Sequence, residues 1–192
     1  MSGDELIRST FAPLAGLPCW EVMGEYGTYL TFHFGTPKVE VLESLAVLNH
    51  RRLARVDGQY VFSLDACQWV AFQDGGKIAH SESDREVIKR AASTLCGQKL
   101  IGAAWRTTPV GGEFHFDLGG RIVFQRKSAS ETENLWTFST RLDPHPDAVD
   151  ILSFTAFAKV GLYTSRGTTP SNTEYDCEGG SITLGDMLGR EA

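Results

Sequence analysis

Cysteine is scarce in this 192-residue chain, and its spacing excludes the common cysteine-based sites. The four cysteines are Cys19, Cys67, Cys96 and Cys177, and none of them belongs to a C-x-x-C pair. The sequence therefore contains neither a zinc site of the finger type nor a dithiol redox motif. We expect free thiols, mostly buried, that behave as small apolar side chains.

Long apolar runs and runs of positive charge are also missing. No stretch reaches the roughly 18 apolar residues of a membrane-spanning helix, and the N-terminal segment has no apolar run of signal-peptide length. Lys and Arg number 18 against 24 for Asp and Glu, which gives a formal net charge of −6. The densest basic group, His50, Arg51, Arg52 and Arg55, is interpreted as a solvated surface or, alternatively, as a contact for an acidic partner protein. These absences predict a cytoplasmic protein that binds neither membranes nor nucleic acid.

The motifs of the common enzyme classes are absent as well. The chain has no G-x-S-x-G nucleophile elbow, no H-E-x-x-H zinc motif and no phosphate-binding loop. No local base or activating charge accompanies Cys19 or Cys67, so a structural role is favoured for both thiols. No cofactor is indicated, and the identity of any metal is left open.

The candidates for chemistry come from two segments that both contain Phe-His-Phe, TFHFG and EFHFD. Along a strand, Glu113, His115 and Asp117 lie on one face, and His33 would join them if the two strands came together. Two imidazoles and two carboxylates suit a divalent transition metal or acid–base catalysis. The alternative is that these residues form the water-facing side of an antiparallel strand, because alternation alone explains the pattern.

Two helices are predicted among many strands. In SDREVIKRAASTLCG, Ser83 is the expected N-cap, Glu86 closes a capping box and Gly97 ends the helix. An earlier helix is predicted over Asp4 to Leu14. Most of the remaining chain alternates between apolar-rich runs and glycine-containing turns. Tight hairpin turns are predicted at Asp57-Gly58, Asp74-Gly75-Gly76 and Gly119-Gly120.

The two halves of the chain match at an offset near 80 residues. Gly16 aligns with Gly97, TFHFG aligns with EFHFD, and YVFS aligns with WTFS. Such self-similarity indicates a repeated structural unit. We therefore predict two pseudo-repeats, at about 4–80 and 83–158.

The predicted fold class is α+β, with a strongly bent antiparallel β-sheet built from two helix-plus-β-meander halves. A single domain over 1–166 is favoured because each half is too small to bury much surface alone. Residues 167–192 are predicted to be a polar C-terminal segment or tail. The apolar residues expected on the core faces of the two Phe-His-Phe strands are Leu30, Phe32, Phe34, Phe114, Phe116 and Leu118.

Four segments, GTYLTFHFG, AHSESDREVI, FHFDLGGRI and LWTFST, resemble small acidic bacterial proteins, some of which are immunity or accessory proteins that accompany toxins. The resemblance covers about residues 20–140, consists of hydrophobic framework and transfers no catalytic residue. It implies a non-enzymatic, immunity-like protein that neutralises a protein partner. One alternative is a small-ligand-binding protein with a pocket between sheet and helix. The other is a metal-dependent enzyme that uses the His and carboxylate cluster.

Overall fold

The computed structural model describes residues 2–24, 29–42, 52–127, 134–141, 149–155, 159–164 and 171–183. Within these ranges the chain is mostly antiparallel β-strand, with helices α1 (Gly3–Phe11) and α2 (Arg85–Leu95). A 3-10 turn over Ala12–Leu14 follows α1. The α+β class is thus confirmed at this level. Neither described helix has the length and apolar character needed to cross a membrane.

The described strands form three antiparallel sheets. The strands are β1 (Cys19–Gly24), β2 (Leu30–Phe34), β3 (Lys38–Leu42), β4 (Leu53–Asp57), β5 (Tyr60–Leu64), β6 (Cys67–Gln73), β7 (Gly76–His80), β8 (Leu100–Thr107), β9 (Val110–Phe116), β10 (Gly120–Arg126), β11 (Asn134–Arg141), β12 (Val149–Thr155), β13 (Lys159–Thr164), β14 (Ser171–Asp176) and β15 (Gly180–Thr183). The seven-stranded sheet has the order β1-β2-β5-β11-β12-β13-β14, and the six-stranded sheet has the order β15-β8-β9-β10-β6-β7. In the described ranges β3 and β4 pair with each other alone, and we call this hairpin the arm.

The prediction of one strongly bent sheet is therefore wrong, although the prediction of antiparallel pairing is confirmed. The strands divide between two larger sheets, neither of which is strongly curled. Residues 171–183, which belong to the predicted polar segment or tail, form β14 and β15 at the edges of these sheets.

The two larger sheets face each other across an aromatic core. Phe32 stacks on Phe116 with ring centroids 5.7 Å apart, and Phe62 meets Phe114 edge-on at 4.6 Å. Helix α1 inserts Phe11 between the sheets. The rings that Phe11 contacts at 5.5–5.8 Å are Phe62, Phe114, Trp136 and Phe138. Rings from both sheets and from α1 thus share one hydrophobic core.

The predicted core faces of the Phe-His-Phe strands are confirmed for their phenylalanines. Phe32 and Phe34 are buried, and so are Phe114 and Phe116. Leu118 was predicted to join them but is 64% exposed. Strand β9 ends at Phe116, so Leu118 lies in the following turn, where strand alternation no longer applies.

Helix α1 is capped and attached by its first residues. The hydroxyl of Ser2 accepts a hydrogen bond from the N–H of Glu5, whose carboxylate accepts one from the N–H of Ser2. This capping box was not foreseen from the sequence. Asp4 accepts hydrogen bonds from Trp105 Nε1 and from the N–H of Glu178. These contacts connect α1 to β8 and to the segment that precedes β15.

Helix α2 begins differently from its prediction. Its N-cap is Asp84, and the expected capping box of Ser83 with Glu86 does not form. The Ser83 hydroxyl instead accepts a hydrogen bond from the N–H of His80 at 3.0 Å, so it is used by the preceding turn. Gly97 follows the helix with φ of +86°, as its predicted role as helix terminator requires.

Two of the three predicted hairpins are confirmed. β6 pairs with β7 through Asp74 and Gly75, which have φ of +51° and +80°, and β9 pairs with β10 through Gly119. The hairpin predicted at Asp57-Gly58 is wrong, because β4 pairs with β3 whereas β5 pairs with β2 and β11. A Cβ atom on Gly58 would lie 2.7 Å from the carbonyl oxygen of Phe34. Close backbone approach, and not a hairpin turn, explains this glycine.

Candidate functional site

The arm continues the β2–β5 pairing beyond the seven-stranded sheet. Phe34 pairs with Tyr60, and the next pair along the ribbon is Lys38 with Asp57. Three residues on one strand therefore oppose two on the other, which is the arrangement of a β-bulge. Gly35 lies in the bulge with φ of +73°, a value that favours glycine. A bulge bends a ribbon, which separates the arm from the sheet.

One face of the arm is apolar and exposed. Val39 pairs with Val56, and Val41 pairs with Ala54, so the four aliphatic side chains share a face. Val39 is 69% exposed, Val41 is 53% exposed and Val56 is 42% exposed. Single exposed aliphatic residues are ordinary, whereas these four side chains form one contiguous exposed apolar group on the arm.

A cleft of about 240 Å³ lies at the base of the arm. His33 is only 1% exposed there, its Nδ1 accepts a hydrogen bond from the N–H of Gly58 at 3.0 Å, and its ring lies 5.4 Å from that of Trp20. Arg55 and Asp57 form an ion pair at 2.6 Å between Nη2 and Oδ2. The polar residues that line the cleft are Thr31, His33, Arg55, Asp57 and Ser139. His33 thus connects β2 to Gly58 at the arm junction through its Nδ1 atom, which is occupied as an acceptor.

The other predicted site residues lie on or near the outer face of the six-stranded sheet. His115 Nε2 is 3.3 Å from Glu113 Oε1, and Arg121 Nη1 is 3.8 Å from Glu113 Oε2. All three side chains are about 40% exposed. Asp117 lies just past β9, where its Oδ1 accepts a hydrogen bond from the N–H of Lys99 at 2.8 Å. Glu113 and His115 thus belong to a half-exposed polar cluster, and Asp117 connects the turn after β9 to the residue that precedes β8.

The structure does not bring His33 together with these residues. Phe32 and Phe116 stack between the sheets, so His33 and His115, which alternate with them, lie on opposite outer faces. Facing sheets are about 10 Å apart, whereas metal–nitrogen bonds are about 2 Å long. One metal ion cannot bind both imidazoles at that separation. Within the described part of the chain, no group of three His, Cys, Asp or Glu side chains is placed to hold a metal ion.

A larger groove, of about 540 Å³, lies between α2 and β1. The residues that line it are Arg85, Lys89, Ala92 and Ser93 on the helix and Val22, Met23 and Gly24 on the strand. A concavity between sheet and helix was expected, but its residues were not identified. The signal was present in the helix sequence, because positions 85, 89, 92 and 93 share one helical face.

Burial controls the titration of several groups. It raises the pKa of the Asp65 carboxyl to about 6, against the opposing effect of a hydrogen bond from Thr137. Burial also raises the pKa of the Cys19 and Cys177 thiols to about 12, so both are protonated and unreactive at neutral pH. All four thiols are free, as predicted; Cys19 and Cys67 are buried, Cys177 is half-buried and Cys96 is exposed.

Comparison of the chain with protein-family models, curated proteins and solved structures gives no match. The functional interpretation therefore depends on the arm, the cleft and the groove. Of the basic group predicted from the sequence, Arg52 is exposed and directly precedes β4, and Arg55 lies on the face of the arm opposite the valines, where it pairs with Asp57. His50 and Arg51 lie outside the described residues.

Proposed function

We propose that the protein is a non-enzymatic, cytoplasmic binding protein that engages a protein partner through the arm. The observation that carries this proposal is the exposed apolar face formed by Val39, Val41, Ala54 and Val56. An immunity-like role, in which the protein neutralises its partner, fits such a surface because blocking a partner requires contact and no chemistry.

The arm suits one kind of occupant, an extended apolar segment of the partner. In the described ranges β3 and β4 each pair on one side alone, so each offers an edge for strand addition. An added strand would gain backbone hydrogen bonds from this edge and would pack aliphatic side chains beside Val39 and Val56. Two-stranded ribbons are marginally stable alone, so binding would also stabilise the arm.

The test replaces the exposed valines by threonine, which keeps β-branching and changes polarity. In pull-downs from the native host, the wild-type protein should retain a partner that the V39T/V41T/V56T variant loses. V123T is the matched control, since Val123 is half-buried on the outer face of the six-stranded sheet. A photo-crosslinking residue at position 41 should attach to an extended apolar segment of the same partner. Equal retention by the triple variant would exclude the arm as the site, and absence of any wild-type partner would contradict the function.

Small-ligand binding is the second candidate. The groove between α2 and β1 supports it, because a concavity between a helix and a strand can hold a small molecule. A metal-dependent enzyme based on His33, His115, Glu113 and Asp117 gains no support, since the four side chains are divided between different surfaces.

We also propose that the two halves of the chain derive from a duplicated unit. Both β1–β2 and β8–β9 contain a β-bulge directly beside the pair that includes the histidine. The pairs that flank the bulges are Cys19–Phe34 and Glu21–His33 in the first half, and Leu100–Phe116 and Gly102–His115 in the second. A bulge at the same place in two hairpins supports common ancestry, because bulges are conserved features within families.

Two further observations support duplication and give it a symmetry. Gly16 and Gly97 both follow a helical segment with positive φ, +76° and +86°. Pro18 pairs with Lys99 in an isolated antiparallel bridge, so two residues at equivalent positions pair with each other, as they would on a two-fold axis. One rotation about that bridge must superpose 16–34 on 97–116, and failure to do so would contradict the duplication.

The sheet orders refine the alignment of the halves. Each larger sheet contains three neighbouring strands from one half of the chain followed by two from the other half. The orders are β1-β2-β5 followed by β11-β12 in one sheet, and β8-β9-β10 followed by β6-β7 in the other. Phe32 pairs with Phe62, and Phe114 pairs with Ile122, so β5 corresponds to β10. The sequence alignment of YVFS in β5 with WTFS in β11 does not fit this correspondence.

A further inference from the structure

We propose that the groove between α2 and β1 binds an elongated apolar molecule that carries one carboxylate, such as a medium-chain fatty acid. This inference rests on the second candidate function and is independent of the arm. It is argued from the shape of the groove, its apolar walls and the position of its two cationic residues.

The groove is long because it follows one face of α2. Arg85, Lys89, Ala92 and Ser93 line it and are spaced by four, three and one residues, so they form a single stripe. From Arg85 to Ser93 the helix rises about 12 Å, at about 1.5 Å per residue. The volume of about 540 Å³ is within the usual range of about 300–1,000 Å³ for small-molecule sites.

The strand side of the groove is apolar and fixed. Val22 and Met23 line it, and Gly24 ends β1 against the helix. A Cβ atom on Gly24 would overlap the side chain of Ile88, a buried residue of α2. The glycine therefore allows strand and helix to approach closely. The two walls are thus held by the core, and a ligand would meet a preformed surface.

The groove has a cationic end. Arg85 and Lys89 lie in the first half of α2, whereas Ala92 and Ser93 are small residues in the second half. Lys89 pairs with Glu86 at 2.8 Å, and their side chains are 50% and 76% exposed. Such a solvated pair contributes little, so Lys89 can exchange it for a ligand carboxylate. On a chain with a net charge of −6, two cations beside an apolar wall favour an anionic amphiphile over a cationic or neutral one.

The occupant that matches both ends is therefore a monocarboxylic acid with an extended alkyl chain. Its carboxylate would lie between the Arg85 guanidinium and the Lys89 ammonium, both of which are groups that donate charge-assisted hydrogen bonds to carboxylates. Its alkyl chain would lie along Met23 and Ala92 toward Ser93. Short acids would lose the apolar contact, which is proportional to the area removed from water.

The test titrates the full chain with octanoate, octanol and octylamine, which share an alkyl chain and differ in charge. Octanoate should bind saturably, with chemical-shift changes in the amides of Gly24 and Ser93, and butyrate should bind at least tenfold more weakly. The R85Q/K89Q variant should weaken octanoate at least tenfold and leave octanol unchanged. R90Q is the matched control, because Arg90 is an exposed cation of the same helix and does not line the groove.

A second variant tests the apolar end. Ser93 is exposed, so S93W should fold normally while its ring fills the groove, and binding of both octanoate and octanol should be lost. The proposal is overturned if octylamine binds as well as octanoate, if R90Q weakens binding as much as R85Q/K89Q, or if shift changes lie elsewhere. None of these outcomes bears on the arm, whose threonine variants are measured separately.

Discussion

The Nδ1 atom of His33 accepts a hydrogen bond from the backbone N–H of Gly58 at 3.0 Å, across the junction between the arm and the seven-stranded sheet. This bond connects β2 to the segment between β4 and β5. A neutral imidazole that accepts at Nδ1 carries its proton on Nε2. His33, one of the four residues that sequence patterns offered for chemistry, is thus buried and connects β2 to the base of the arm.

Replacing His33 should destabilise the protein. We expect H33A to lower the free energy of unfolding by about 1–3 kcal/mol, because the buried N–H of Gly58 loses its acceptor. H33N should recover part of this loss, since an amide oxygen can take the place of Nδ1. Urea unfolding measures both. H115A, at a half-exposed histidine, should change stability by less than about 0.5 kcal/mol, and an equal effect of H33A and H115A would contradict the role of His33.

Gly58 should not tolerate a side chain. A Cβ atom there would lie 2.7 Å from the carbonyl oxygens of Phe34 and Tyr60, so G58A must displace one strand of the ribbon. We expect a loss of about 1–3 kcal/mol and faster amide hydrogen exchange in the arm. G76A is the control, because its nearest neighbour would be 3.4 Å away, which is an ordinary contact. If G58A left amide hydrogen exchange in the arm unchanged, the junction would have room for a side chain at position 58.

Phe11 should be among the most sensitive core positions. It contacts aromatic rings of both sheets, and its removal would leave a cavity that neither sheet can fill alone. We expect F11A to lower the free energy of unfolding by about 3–5 kcal/mol. L118A, at a leucine that is 64% exposed, should cost less than about 0.5 kcal/mol. Thermal or urea unfolding would contradict the packing if the two losses were similar.

Asp65 should make stability depend on pH. Its pKa is about 6 in the folded protein against an ordinary value of 3.8, so the unfolded chain releases this proton first as pH rises. The contribution of Asp65 to the free energy of unfolding is therefore most favourable below pH 3.8. It decreases by about 3 kcal/mol as pH rises through 6. D65N should be more stable than wild type at pH 8 and equal to it at pH 3.5. Urea unfolding at both pH values measures the difference, the exposed E82Q variant is the control, and a pH-independent effect of D65N would refute the shift.

Local patterns predicted the local features of this fold. The apolar spacing of α2 and the alternation of Phe114 and Phe116 depend on neighbours in sequence, and both were found. The N-cap of α2 was misplaced by one residue because the Ser83 hydroxyl bonds the N–H of His80 instead. A sequence pattern shows which donors and acceptors are near in sequence, whereas the fold determines which of them form hydrogen bonds.

Non-local pairing could not be predicted in the same way. Asp57-Gly58 has the residues of a hairpin turn, yet the strands on either side have other partners. The burial of His33 likewise depends on Trp20 and on the base of the arm, which are brought to it by the fold. The groove needs both a helix face and the edge of a distant strand, so the residues that line it could not be named from the sequence.

The pairing of β5 with β11 has a consequence for how the chain acquires its structure. Phe62 pairs with Phe138, which comes 76 positions later, so β5 cannot gain that neighbour until most of the polypeptide has left the ribosome. Folding rates fall as contacts join residues farther apart in sequence, and we therefore expect slow refolding from denaturant. During synthesis the aromatic rings of the first half would stay exposed to water, so we expect chaperones to bind the nascent chain.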